Sequence, residues 1–480
     1  MKYISTRGLC EPADAPSAIL EGLAPDGGLF VPEEIPVFTE EEKEALRGME
    51  YRDTALLVLR KYLDSLPEER LKTAIRDAYD SFEGGEPAPV RMLRQDFGVM
   101  ELWHGPTCAF KDIALQLMPR LMSICRDITG LKEVLEILVA TSGDTGKAAL
   151  EGFKDVPGTA VTVFYPENGV SAVQKAQMVT QQGSNVQVYA VKGNFDDAQT
   201  GVKAIFTDRE LAESRARQGR VFSSANSINW GRLLPQVVYY VKAAFGLAPK
   251  GGTVDFTVPT GNFGDILAGF YARRMGAPVG RLVCASNSND VLTQFICTGV
   301  YDRRREFYRT ISPSMDILVS SNLERLLYLA GNGDSAAVRE YMESLRTQGF
   351  YTVSPETLEN IRSVFDACSC TDEEALAVIG DVYMRHGYLM DPHTAVGMYA
   401  ARRFAVPGRP MVLVSTASPF KFAESVLRAL GAGEAEGFEA LDKLSSLTGL
   451  AVPARLDAVR RLPVRFRDCV TPGEMKGLFR

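Results

Sequence analysis

Histidine is scarce in this 480-residue chain, which has only His104, His386 and His393. Three imidazoles cannot build a rich metal cluster, so no metal is expected. The eight cysteines (Cys10, Cys108, Cys125, Cys284, Cys297, Cys368, Cys370 and Cys469) include no C-x-x-C pair. That spacing excludes a zinc ribbon and argues for reduced thiols in a cytoplasmic protein rather than a disulfide framework. Long apolar runs are also missing: none approaches the roughly 18 residues needed to cross a bilayer. The opening MKYISTRGLCEPADAP lacks the apolar core of a secretory signal. Excess positive charge is absent too. A net charge of -7 argues against a nucleic-acid surface, while leaving room for a local pocket that takes a small anion. No internal repeat or low-complexity linker is present.

What the chain does have is alternation. After about a hundred residues of short elements, including the turn-rich APDGGLFVP and a polar helical run over 40–80, strand-like and helix-like stretches follow one another. VLEILVAT, TAVTVFYP, NVQVYAV, TVDFTVPT and GRLVCASN read as buried strands, each separated from the next by helical sequence. This pattern predicts an α/β fold with two open parallel-sheet domains. The expected division is an N-terminal region at 1–98, a smaller α/β domain at 99–220 and a larger one at 221–480. A mainly helical insertion is expected at about 312–390.

Three loops fall at predicted strand ends, where open α/β sheets place their ligands. In TVPTGNFGDILAG, Gly261 and Gly264 allow a tight turn ahead of a helix whose free N–H groups point back into the loop. That suits a phosphate, or else a plain turn in which Asp265 caps the helix. In VATSGDTGKAAL, the loop Ser142, Gly143, Asp144, Thr145 offers hydroxyls and backbone donors, or merely caps the next helix. It is not a nucleotide P-loop, because Thr141 stands at the required first glycine and Ala148 replaces the magnesium-binding hydroxyl. In VLVSTASPFKF, Ser415, Thr416 and Ser418 put hydroxyls at a sheet edge.

HGPTCAFKDIALQ contains the oddest residue. Lys111 stands at a predicted helix start among Phe110, Ile113, Ala114, Leu117 and Met118. An ammonium there is opposed by the helix dipole and by its apolar neighbours, and both lower a lysine pKa. A lysine of that kind is a nucleophile for carbonyl chemistry, unless its ammonium simply reaches water. A phosphate loop and such a lysine together suit one cofactor, pyridoxal phosphate.

Taken in order, MKYISTRG, APDGGLFVP, HGPTCAFKD, ATSGDTGKAA, SSANSINWGR, PTGNFGDILAG, DPHTAVG and STASPFKF resemble the threonine synthase family, part of the tryptophan-synthase β-like, fold-type II group of pyridoxal-phosphate enzymes. The resemblance runs almost end to end. It implies that Lys111 is the Schiff-base lysine and that Gly261, Asn262, Phe263, Gly264 and Asp265 cradle the cofactor phosphate, chiefly through backbone N–H groups. Thr416 would face the pyridine nitrogen. Ser142, Asp144 and Thr145, with Asn226, Ser227, Asn229 and Arg232, would line the substrate side, with Arg232 either a fork for phosphate or carboxylate or a structural ion pair. DPHTAVG belongs to the family pattern, but no chemical role is assigned to Asp391 or His393. Ser418 and Phe420 depart from the pattern, where a histidine and a small residue are expected, and bear on substrate selectivity.

The implied reaction turns O-phosphohomoserine and water into threonine and phosphate, with Lys111 moving protons as base and acid. Rival readings are a phospho-lyase making 2-oxobutanoate from the same substrate, a catalytically silent ligand-binding homologue and, distantly, a nucleotide-binding protein. Monomer and homodimer are both left open.

Overall fold

The computed structural model describes residues 1–141, 143–168 and 170–480. Two parallel sheets organise it. The larger runs, edge to edge, through Phe365–Ser369, Val279–Ser286, Val254–Pro259, Met411–Ser415, Phe97–Glu101 and Val90–Arg94. Only the last strand is antiparallel to its neighbour. The smaller runs through Cys469–Val470, Val186–Val191, Thr159–Pro166, Val134–Ala140 and Arg220–Ser223, all parallel. Helices cover the faces of both sheets, so their central strands are buried on each side. This is why those strands read as continuous apolar runs rather than as alternating patterns.

The sheets depart from the expected division in three places. The strand Phe97–Glu101, expected at the start of the smaller domain, lies in the larger sheet. The chain returns to the smaller sheet at Cys469–Val470, so residues 221–480 do not form a single unit. The segment 312–390 carries four helices but is not a separate insertion, because Phe365–Ser369 is the edge strand of the larger sheet and Phe350–Thr352 pairs antiparallel with the distant Val300–Asp302. The cause in each case is pairing between strands remote in sequence, which local periodicity does not carry.

The N-terminal region adds a three-stranded antiparallel sheet and the helices Glu40–Leu46, Tyr51–Tyr62 and Glu68–Tyr79. The last two pack on the central helices Trp230–Leu247 and Lys111–Thr129 respectively. Those central helices are buried around most of their circumference, which removes the one-faced pattern expected of a surface helix. The Lys111 helix also crosses the helix Asp144–Phe153 so closely that a Cβ on Gly152 would overlap the Leu115 carbonyl.

Candidate active site

Lys111 is the first residue of its helix, behind Phe110, and no side chain caps that helix start. The preceding turn is fixed from two directions. Asp112, buried, accepts both the N–H and the hydroxyl of Thr107 at 2.7 Å, and burial pushes its carboxyl up to about 6. On the other side the turn runs antiparallel to the loop after Met411–Ser415. Phe110 N–H donates to Thr416 O at 2.8 Å, and Ser418 N–H donates to Cys108 O at 3.1 Å. Cys108 is held at φ 59°, a left-handed conformation that a side chain adopts only when its surroundings impose it. Lys111 is therefore aimed by a tightly specified backbone.

The lysine is buried, and burial is the main reason its amine is lowered to about 8. Arg232 and Lys421 push it in the same direction, while Asp144 opposes them. The depression expected from the apolar setting is thus present, with neighbouring cations adding to it. The Nζ atom lies 3.4 Å from Ser314 Oγ, its hydrogen-bond partner, and over the Phe110 ring.

The GNFGD loop follows the strand Val254–Pro259 and enters the helix Gly264–Arg274. Phe263, at φ 59°, turns the chain, and the N–H groups of Gly261, Asn262 and Phe263 have no protein acceptor among the described residues. Three free donors ahead of a helix N-terminus make a cradle for a phosphate. Asp265 does not cap the helix, contrary to the simpler reading of this stretch. Its Oδ1 accepts from the hydroxyls of Tyr239 and Tyr240, both at 2.7 Å, and burial raises its carboxyl to about 6. Its carboxylate therefore faces the Trp230–Leu247 helix, leaving only its backbone for an anion.

The remaining candidates fall into distinct groups. Thr416 is buried, and its hydroxyl has no protein partner among the described residues. Thr145 is half-buried and Asn226 exposed, with side chains similarly free, while Ser227 Oγ meets Ser321 Oγ at 3.2 Å. Ser142 lies outside the described residues. Asn229 caps the Trp230–Leu247 helix by accepting from Gly231 N–H, and its amide donates to Ile19 O and Ser224 O, so both of its side-chain donors are engaged within the protein. Asp144 is engaged through its Oδ1, which is 2.7 Å from Lys421 Nζ and accepts from Gln174 at 2.9 Å. Burial would raise this carboxyl, but Lys421 and Lys111 outweigh that and hold it well below the usual range. A carboxylate here repels an anionic substrate and serves as counter-ion to the two lysines.

Arg232 is buried, donates to Ala225 O at 2.9 Å and has no carboxylate partner among the described residues. Burial lowers its guanidinium to about 10, which leaves it charged. A buried cation without a counter-ion is costly unless an anion joins it. Lys111, Lys421 and Arg232 against Asp144 and Asp112 still leave a surplus of positive charge, matched to phosphate.

Several residues escaped sequence reading. Lys421, fully buried, donates to Thr107 O at 2.9 Å as well as to Asp144; its apolar neighbours in SPFKF were the available signal. Asn322 clasps the two ligand loops together, donating to Ser227 O and Asn262 O, both at 3.1 Å. Arg325 accompanies it, donating to Asn322 Oδ1, Ile228 O and Phe30 O. Ser314, Asn322 and Arg325 carry no pattern visible in the sequence.

This geometry agrees with comparison to known proteins. Residues 90–417 match the family of the pyridoxal-phosphate dependent enzymes, and the site defines the class: a fold-type II enzyme with pyridoxal 5'-phosphate as cofactor. Residues 2–79 match the threonine synthase N terminus and 394–470 the threonine synthase C-terminal family. The chain is 42% identical over 442 residues to a threonine synthase of Pseudomonas aeruginosa, covering 92% of each. It is 44% identical to the human protein called threonine synthase-like 1, covering 86% of this chain and 57% of that one. A solved, cofactor-bound threonine synthase of Brucella melitensis superposes with a TM-score of 0.91 at 41% identity, covering 100% of this chain and 98% of the other. The chain belongs to the threonine synthase family.

Proposed function

We propose that this chain makes threonine, converting O-phosphohomoserine and water to threonine and phosphate, and that it does so in the cytoplasm, a setting that suits its eight free thiols. One observation carries the reading: Arg232, buried without a carboxylate, stands in the same electrostatic neighbourhood as the depressed lysine Lys111. An amine poised to give and take protons and a cation awaiting an anion suit a phosphorylated amino acid.

The free N–H groups of Gly261, Asn262 and Phe263 would hold the cofactor phosphate, Lys111 its aldehyde and Thr416 its ring nitrogen. Bound there, pyridoxal phosphate supplies an electron sink for charge developing on the substrate carbons. Lys111, once free, removes a proton from the substrate α-carbon and returns one, because its amine titrates near neutral pH. Thr416 offers a hydroxyl, which cannot enforce a charged ring nitrogen as an aspartate would. Arg232 binds the departing phosphate and stabilises its charge as it leaves. Ser227 and Thr145 add hydroxyls at the substrate side, and Asp144 pairs with Lys421 while Arg232 has no carboxylate partner among the described residues.

The decisive assay supplies O-phosphohomoserine and measures phosphate and threonine together. Threonine equal to phosphate is expected. Formation of 2-oxobutanoate and ammonia instead, or no turnover, would overturn the reading. The purified protein should absorb in the near-visible, and Lys111→Ala should abolish that band. Arg232→Met should keep the band and lower kcat/KM by about 2–5 kcal/mol in barrier terms.

A further inference from the structure

A buried polar chain that the chemistry above does not use ends at Lys111. Asp391 caps the helix Pro392–Phe404, accepting from His393 N–H at 2.9 Å and from the N–H and hydroxyl of Thr394. The same Oδ1 lies 2.7 Å from His393 Nδ1. On the far side of the ring, Nε2 accepts the N–H of Ser314 at 3.1 Å. A ring nitrogen that accepts carries no proton, so the ring proton sits on Nδ1 and is donated to Asp391. Both residues are shut off from water. Thr394 Oγ1, in turn, is 3.0 Å from Ser415 Oγ, which accepts from Trp103 Nε1 at 3.0 Å. The pair is thereby tied to the end of a central strand.

Ser314 lies at the junction. It stands in the short turn Pro313–Met315, whose flanks Ser312 and Asp316 are tied to Asn287 while Ser314 itself is not. The bond to His393 is the one its N–H makes. Its hydroxyl faces Lys111 Nζ, and its carbonyl lies against Gly261, where an added Cβ would come within 2.8 Å. One residue therefore touches both the lysine and the phosphate loop, and an imidazole of fixed tautomer holds it there.

We propose that Asp391 and His393 are positioning residues that set Ser314, and that the Ser314 hydroxyl holds the Lys111 amine in place whenever that amine is free. The proposal rests on Lys111 being the proton-moving lysine. Capping alone does not account for Asp391, since a serine caps a helix as well. The carboxylate is needed to select the ring tautomer; the opposite tautomer would set an N–H against the Ser314 N–H.

With only three histidines in the chain, holoenzyme labelled with 15N-histidine reports the tautomer directly, and His393→Gln identifies the His393 signal. Wild type should show His393 protonated on Nδ1 alone; protonation on Nε2 would overturn the proposal. Asp391→Ser keeps a cap but removes the carboxylate from the ring. Ser314→Ala removes the hydroxyl at Lys111. Each should lower kcat about tenfold or more with KM changed less than about threefold, while the near-visible band persists. His393→Gln, whose amide oxygen can still accept from Ser314, should retain several-fold more activity than His393→Leu. Equal activity in those two, or a wild-type kcat in Ser314→Ala, would overturn the proposal even if other variants fold poorly. A wild type that binds no cofactor or makes no threonine is a separate result, and refutes the functional reading itself.

Discussion

Lys111 shows what a single residue's setting does. An ordinary lysine amine, near 10.5, is neutral in only about 0.03% of molecules at pH 7; lowered to about 8 it is neutral in roughly 10%. Condensation with an aldehyde consumes the neutral amine, so the rate at which cofactor-free protein takes up pyridoxal phosphate should rise with pH and level off above about 8. The growth of near-visible absorbance over time measures it. A rate still climbing at pH 10 would mean that burial does not depress this lysine. The direction follows from the causes: burial and two neighbouring cations favour the neutral form, and they outweigh the carboxylates of Asp144 and Asp112. Lys111 was legible in the sequence because its cause is local, an apolar setting beside a helix start. Lys421 carries the same local pattern, but its counter-charge Asp144 sits on a remote element, so its role appears only when the chain folds.

At the level of elements, the phosphate loop was legible because its chemistry is carried by the backbone, and two glycines before a helix announce a backbone turn. What covers the loop was not legible. Residues 312–322 form irregular chain without periodicity, and their meaning lies in where they land: Ser320 Oγ donates to Gly261 O at 2.8 Å, and Asn322 holds Asn262 O. Asp265 misled because acidic residues at helix starts usually cap, whereas here two tyrosines on the preceding helix claim the carboxylate. The cover makes the two glycines unequal. A Cβ on Gly261 would meet the Ser314 carbonyl at 2.8 Å and Met315 Cα at 3.3 Å, backbone atoms that can yield only if the segment lifts. A Cβ on Gly264 would meet the Asn322 amide nitrogen at 3.3 Å, a side-chain atom that can shift. Gly261→Ala should therefore weaken cofactor retention by about 1–3 kcal/mol, and Gly264→Ala by less. Equilibrium titration of the near-visible band checks this, and equal affinities for the two variants would show that the cover is not packed as described.

For the whole molecule, the site exists because two sheets meet, and a buried ion pair joins them. Asp144 begins a helix of the smaller sheet, Lys421 follows a strand of the larger, and their side chains are 3% and 0% exposed. Removing one partner of such a pair strands the other charge away from water, which costs about 3–5 kcal/mol; removing both avoids that cost. Asp144→Asn and Lys421→Met should each lower the denaturant midpoint substantially, and the double variant should recover a large part of the loss. The two single variants should differ at the active site. Without Asp144 the Lys111 amine loses the stronger of the two carboxylates that raise it, so cofactor uptake should level off at a lower pH than in wild type. Without Lys421 the Asp144 carboxylate is left to Lys111, the amine rises, and the plateau should move to higher pH. Midpoints that add in the double variant, or plateaus that move together, would show that the pair is not a clasp between the sheets.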